Sequence, residues 1–211
     1  MPTTAPTPVP TLLVFDSGIG GLSIADEIRR ALPTCRLVYV ADNVIFTYGT
    51  QEESVLVNRL LQLLPTLEQY ARPDLIVIAC NTASTVVLEP LRAQTTTPII
   101  GVVPAIKPAA QLTQNRTIGL LATPGTVKRQ YVQRLVDEFA HGCTVIKTGS
   151  SELVHQAENK LRGLPVDEAL IAREVAPLLN QATTPDVVIL GCTHFPFLRE
   201  EISRALPPGT R

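Results

Sequence analysis

Short apolar runs alternate along this chain with stretches whose apolar residues recur every three or four positions. LLVF (12–15), RLVYVA (36–41), DLIVIA (74–79) and PIIGVV (98–103) are runs of the first kind in the first half. TIGLLA (117–122), TVIKT (144–148) and VVILG (187–191) continue them in the second. Such lengths suit strands better than helices, and near-continuous apolar character predicts strands buried on both faces. Helical spacing runs over 21–32, 54–64, 126–139, 151–162 and 167–180, with Pro33 just beyond the first. A further helix is predicted after Cys80, with Thr82 or Ser84 near its cap and Leu88 and Leu91 on its inner face. This alternation predicts an α/β fold of mainly parallel sheets flanked by helices.

The pattern also repeats. Residues 73–82, PDLIVIACNT, match 185–194, PDVVILGCTH, without a gap: Pro-Asp, four aliphatic residues, a small residue, then Cys80 or Cys192. LLVFDSG (12–18) corresponds to GLLATPG (119–125), so each half has an early strand ending at a hydroxyl, Ser17 or Thr123. Two similar α/β lobes facing each other across a cleft are expected. The expected boundaries are a disordered leader over 1–11, a first lobe over 12–102 and a second over 103–211.

In open α/β sheets, ligands bind beyond the carboxyl ends of the strands. Two thiols delivered there in register suggest a matched acid and base, where one alone would suggest a nucleophile. Either cysteine taken singly is most simply a small buried residue. Two in register, with His194 beside one, call for chemistry. A helix starting just after each would favour thiolate.

Composition removes several alternatives. Lys and Arg number 18 against 19 Asp and Glu, a formal net charge of −1. That gives no basic field for direct nucleic-acid contact or for an anionic membrane. A hydrophobic fraction of 45% is ample for a core. The opening MPTTAPTPVPT lacks the basic start and apolar stretch of a signal peptide, and no run reaches the roughly 18 apolar residues of a membrane span. A cytoplasmic protein is expected, with four free thiols. Cys35 and Cys143, near Pro33 and Gly142, read as ordinary semi-buried residues. Cys192 and His194 have no second close-spaced pair beside them, so no metal site is expected. His141 and His155 fall on predicted helices and are expected at the surface.

The turn DSGIGGL (16–22) lies between strand and helix and suits an anion, because a helix start presents unpaired N–H groups. A dinucleotide site is its rival, with Asp42 placed about 20 residues on, where a ribose-binding acid would sit. Ser23, however, stands where that pattern needs its third glycine. A cysteine-protease scheme finds no suitable spacing in Cys192 and His194 and leaves a second cysteine idle. Lys107, Lys128, Lys147 and Lys160 offer no diagnostic context for pyridoxal, and no cofactor is expected.

The set VFDSGIGGLS, ADNVIFTYG, IACNTAS, GVVPAIKPA, LLATPGTVKR and LGCTHFP resembles the glutamate racemase family, from about Leu12 to the end of the chain. The resemblance implies two lobes related by a pseudo-twofold axis, with the active site in the cleft. It also implies cofactor-independent racemisation of L-glutamate to D-glutamate for peptidoglycan synthesis. By the family pattern, Cys80 takes the α-proton from D-glutamate and Cys192 from L-glutamate. Asp16 assists Cys80, His194 assists Cys192, and Glu158 is a further acidic helper. Ser17, Tyr48, Gly49, Asn81, Thr82, Thr123 and Thr193 hold the substrate carboxylates and ammonium. A related aspartate or other amino-acid racemase is the nearest rival. A catalytically silent regulatory form is another, since some members restrain DNA gyrase. Some members with N-terminal extensions need UDP-N-acetylmuramoyl-L-alanine as activator, and the motifs leave a homodimer open.

Two departures from the family pattern stand out. Thr47 replaces the usual proline of an FPYG turn, and the loss of a fixed φ is expected to loosen the turn and weaken binding. The sequence ends at LPPGTR, where the family continues through a VDSG segment and a helix that return to the first lobe. Lower stability than that of a longer chain is expected, which a comparison of thermal melts would check.

Overall fold

A computed structural model of the chain describes residues 9–211. The expected leader thus lies mostly outside the described residues, and its last member, Thr11, already belongs to the first strand. The first lobe runs β1 (Thr11–Asp16), α1 (Leu22–Ala31), β2 (Arg36–Ala41), α2 (Glu53–Ala71), β3 (Leu75–Ile78), α3 (Asn81–Ser84), α4 (Leu88–Gln94) and β4 (Ile99–Gly101). Its four strands are all parallel, in the order β2-β1-β3-β4. The second lobe runs α5 (Ile106–Leu112), β5 (Thr117–Ala122), α6 (Pro124–Lys128), α7 (Gln130–Phe139), β6 (Thr144–Gly149), α8 (Glu152–Leu161), α9 (Glu168–Val175), β7 (Val187–Gly191) and α10 (Arg199–Ala205). Its strands are parallel in the order β6-β5-β7.

The two sheets repeat one plan: β1 lies between β2 and β3 as β5 lies between β6 and β7. Equivalent bonds close the tops of the outer strands, Asp42 N–H to Asp16 O and Ser150 N–H to Ala122 O, both 2.9 Å. These ends set Ser17 and Thr123 at equivalent places, each one residue past its central strand, one step off the gapless letter match. Both central strands are wholly buried, as their unbroken apolar runs require. The repeated Pro-Asp sits at the opposite, floor end. Asp74 accepts from Thr11 N–H at 2.7 Å, just where β1 begins. Asp186 accepts from Gln114 N–H at 2.6 Å and Asn115 N–H at 3.0 Å, just before β5.

Several predicted helices come out differently, each for a local reason. α2 continues through Pro65 to Ala71. Pro65 has no N–H for the Leu61 carbonyl, and the Gln94 side-chain amide of α4 donates to that oxygen at 3.0 Å. The helix after Cys80 is two pieces, and its cap is Cys80 itself, with Thr82 and Ser84 inside the first turn. There the Ser84 hydroxyl donates to Ile78 O at 2.9 Å and Thr85 to Thr82 O at 2.7 Å, back-bonds that compete with a continuing helix. The 126–139 helix breaks at Arg129, which is extended (φ −71°, ψ 137°). The 167–180 helix ends in a 3₁₀ turn over Ala176–Leu178, at Pro177. α5 and α10 had no counterpart in the apolar spacing. Ile106 and Ala109 of α5 are buried with Ile118 and Val132 in the second lobe's core. Among the described residues, no helix is long and apolar enough to cross a membrane.

Candidate active site

The carboxyl ends of β1 and β3 face those of β5 and β7 across a single pocket. Its wall holds every binding residue expected from the sequence: Ser17, Tyr48, Gly49, Asn81, Thr82, Thr123 and Thr193. Cys80, Cys192 and His194 line it too. Asp16 and Glu158 do not line that wall; they touch it through Thr193 and His194. Cys35 and Cys143 are half-buried and apart from it, while Cys80 and Cys192 are buried, and all four are free thiols. His155 is exposed on α8, and His141 is exposed in the turn after α7 rather than on a helix.

Cys80 ends the β3 run and caps α3, so the first-turn N–H groups of Thr82 and Ala83 point at its sulfur. Its thiol lies 3.7 Å from the Ser17 hydroxyl. Burial outweighs these donors and, with the nearby Asp16 charge, pushes the thiol up to about 12. Asp16 itself is fully enclosed, and burial raises its carboxyl from 3.8 to about 6. Partial relief comes from His194 and from hydrogen bonds donated by Gly18 N–H at 3.1 Å and the Thr193 hydroxyl at 3.2 Å. Asp16 is thus tied across the cleft to the second lobe, and no hydrogen bond joins it to Cys80.

Cys192 repeats the arrangement with other partners. The N–H groups of His194 and Phe195 point at its sulfur, and burial again pushes the thiol up. His194 Nδ1 lies 4.0 Å from the sulfur, and Nε2 lies 2.8 Å from Glu158 Oε1. The His194 hydrogen bond, with help from Arg162, holds the Glu158 carboxyl below its usual range. The Glu158 carboxylate fixes the ring through Nε2 and so turns Nδ1 toward the thiol.

Close packing fixes this geometry. A methyl group on Gly20 would collide with the His194 ring and come within 2.7 Å of Thr193 Oγ1. The turn expected to cradle an anion is therefore filled by the opposite lobe. Ser23, the residue that broke the dinucleotide pattern, donates to Gly20 O at 2.9 Å and to Thr193 O at 3.0 Å, bridging the lobes. Asp42 is also unavailable to a ribose: Arg59 grips both its oxygens, at 2.7 and 2.9 Å, and Tyr48 donates to it at 2.6 Å. The Tyr48 hydroxyl is therefore spent outside the pocket, and its ring and backbone form the wall. Asn81 likewise uses its amide N–H on Val102 O at 3.2 Å, leaving its oxygen. Thr47 lines the pocket with extended backbone, its carbonyl accepting from the Thr50 hydroxyl at 3.1 Å.

Three contributors escaped the sequence. Thr126 shares hydrogen bonds with Thr82 at 3.1 Å and Thr123 at 2.9 Å, and Thr82 and Thr123 meet at 2.9 Å, a closed triangle of hydroxyls joining the lobes. Thr123 caps α6 and accepts from Thr126 N–H at 3.3 Å, a spacing that could have flagged the pair. Phe46 places its ring 5.9 Å from that of His194, and Val154 fills the wall below. Neither carried a signal beyond being apolar.

Comparison with known proteins agrees with this construction. Residues 22–209 match the family model described as Asp/Glu/Hydantoin racemase. Glutamate racemase of Klebsiella pneumoniae is 52% identical over 208 residues, 99% of this chain and 74% of that protein. The Escherichia coli glutamate racemase structure, in complex with L-glutamate and the activator UDP-MurNAc-Ala, is 50% identical and superposes with a TM-score of 0.92, covering 97% of this chain and 77% of that one. The Francisella tularensis enzyme in complex with D-glutamate is 25% identical with a TM-score of 0.77, covering 93% and 73%. The chain belongs to the Asp/Glu/hydantoin racemase family and, within it, to the glutamate racemases.

Proposed function

We propose that this chain interconverts L- and D-glutamate by a 1,1-proton transfer between two cysteines, supplying D-glutamate for peptidoglycan. The observation that carries the proposal is the pair of buried thiols at equivalent strand ends on opposite walls of one pocket. Inverting Cα requires that a proton leave one face and another arrive on the opposite face. Cys192 as thiolate takes the α-proton of L-glutamate, and the Cys80 thiol gives its own proton to the other face. The product is D-glutamate with Cys80 left as thiolate. The reverse reaction starts from that state.

Raised thiol pKa values suit this work once one thiolate has formed, because a more basic thiolate is better matched to a weakly acidic α-proton. The ammonium group of the substrate, brought among buried thiols, favours that ionisation. Asp16 biases the Cys80 side and the His194–Glu158 pair the Cys192 side. Ser17, Thr82, Thr123 and Thr193, with the backbone at Tyr48 and Gly49, hold the carboxylates through neutral donors, while the Asn81 amide oxygen accepts from the substrate ammonium. Such donors, fixed before the reaction, stabilise the enolate-like charge that develops as the proton leaves. UDP-MurNAc-Ala, present with the Escherichia coli enzyme, is proposed as an activator here also, acting within the bacterial cytoplasm.

The test is chiral chromatography of each glutamate enantiomer, and of L-aspartate, after incubation with the purified chain with and without that nucleotide. Conversion of both glutamate enantiomers to one racemic mixture, with aspartate unchanged, is expected. Faster turnover of aspartate would move the substrate assignment to the sister activity. No turnover by folded protein in any mixture would remove the catalytic claim.

A further inference from the structure

Four pocket-lining residues in succession, Phe46, Thr47, Tyr48 and Gly49, sit on a segment with no strand pairing and only two single 3₁₀ turns, Asn43–Ile45 and Tyr48–Thr50. Short turns of this kind do not fix their own position. One side chain ties the segment down. Asp42 is buried just past β2, where its N–H bonds to Asp16 O at 2.9 Å. Its carboxylate accepts from Tyr48 at 2.6 Å and, in a two-pronged pair, from Arg59 of α2 at 2.9 and 2.7 Å. Asp42 thus joins the end of a strand, the middle of the loop and a helix.

The consequences run onward into the pocket. With its hydroxyl held, Tyr48 lays its ring against Phe15, 6.4 Å between centroids. The next residue, Gly49, is pressed so closely on the second lobe that a Cβ there would lie 2.5 Å from Thr123 Cβ. Thr123 in turn belongs to the hydroxyl triangle with Thr82 and Thr126. The position of Asp42 is therefore passed through Tyr48 and Gly49 to donors on both walls. It reaches neither thiol directly.

We propose that Asp42 and Arg59 are positioning residues that set the Tyr48–Gly49 wall, and that they govern glutamate binding rather than proton transfer. The proposal rests on the glutamate assignment above. The same Asp42 that invites a ribose-binding interpretation in the sequence has its carboxylate turned inward to hold the loop. Arg59 keeps it ionised, so the Tyr48 hydroxyl always meets an acceptor.

Steady-state racemisation and direct glutamate titration of Asp42→Ala, Asp42→Asn and Tyr48→Phe test this. Loss of the Tyr48 hydrogen bond, together with the Arg59 pair, is expected to raise KM and Kd about tenfold in Asp42→Ala. The accompanying fall in kcat should be much smaller. Asp42→Asn keeps an oxygen for the Tyr48 hydroxyl and should recover most of the affinity. Tyr48→Phe, which removes only the hydroxyl, should weaken binding in the same direction even if Asp42→Ala fails to fold. Variants that melt earlier but keep the parent KM and Kd, or that lose kcat alone, would overturn the positioning role while leaving the glutamate assignment intact. A parent chain that neither binds nor turns over glutamate would overturn both.

Discussion

Cys80 and Cys192 stand at equivalent strand ends, each buried, each capped by the N–H groups of the following turn, yet their ionisable neighbours differ in kind. Around Cys80 the neighbour is a fully enclosed carboxyl lifted to about 6 by burial. Around Cys192 it is an imidazole backed by a carboxylate at 2.8 Å. The backbone is repeated and the chemistry is not. On the proposed mechanism, a repeated scaffold places two bases on opposite faces of one carbon. Different neighbours can then poise them in opposite protonation states, which a reversible two-base reaction needs at every instant.

The largest expected effect comes from removing either base. Cys80→Ser and Cys192→Ser should each lower racemisation by about 10³-fold or more, near the upper part of the range for a general acid or base. Chiral chromatography measures it, with circular dichroism to establish that the fold is intact. Equal, severe losses sharpen the comparison, while survival of one variant near the parent rate breaks it.

Gly20→Ala should act most directly on the Cys192 side. Its methyl would displace the His194 ring beside Cys192, and misplacing a group of the proposed machinery is expected to cost roughly ten- to a hundredfold in kcat/KM. Thr193 Oγ1, also crowded by the methyl, donates to Asp16, so the Asp16 titration should shift as well, and a pH profile identical to the parent's would break this reading.

Asp16 gives a smaller effect, visible in stability. Its folded pKa, about 6, lies above the ordinary 3.8. Below that ordinary value both folded and unfolded chains hold the proton and the group is neutral to folding. As pH climbs between the two values, the unfolded chain releases its proton first, so stability falls and stays lower above about 6. The shift corresponds to roughly 2–3 kcal/mol. Denaturant titrations of Asp16→Asn and parent should therefore diverge in favour of Asn by about that amount between pH 4 and pH 7. A constant difference would mean that Asp16 titrates normally.

The smallest effect separates the two ends of the repeated strands. Asp186→Asn weakens the carboxylate that fastens the 113–115 turn beneath β5, at about 1 kcal/mol, or a few degrees in Tm. Glutamate kinetics should not change, because this end of the strand faces away from the pocket.

The repeat made much of this legible in advance. Unbroken apolar runs marked the buried strands, and the in-register Cys80 and Cys192 pointed to the pocket they both line, because strand ends are local facts. The Pro-Asp half of the same repeat gave no clue that it was structural, since its partners Thr11, Gln114 and Asn115 are reached only through folding. Pro65 stopped the predicted helix because the sequence does not reveal that Gln94 will satisfy Leu61. Asp42 pointed toward a ribose because its true partners, Arg59 and Tyr48, are matched by tertiary packing and not by spacing. Thr126, the third hydroxyl of the triangle, is an ordinary helix residue until the two lobes meet.

The most direct test of the two-thiol proposal is the isotopic content of product at early times in D₂O. L-glutamate is mixed with the purified chain, the reaction is stopped at a few per cent conversion, and both enantiomers are examined by mass spectrometry. Two bases on opposite faces should give D-glutamate fully deuterated at Cα, because the donating thiol carries a solvent deuteron, while the remaining L-glutamate stays protiated. Product that keeps its original α-proton would show that a single base picked it up and returned it, and would contradict the two-thiol mechanism.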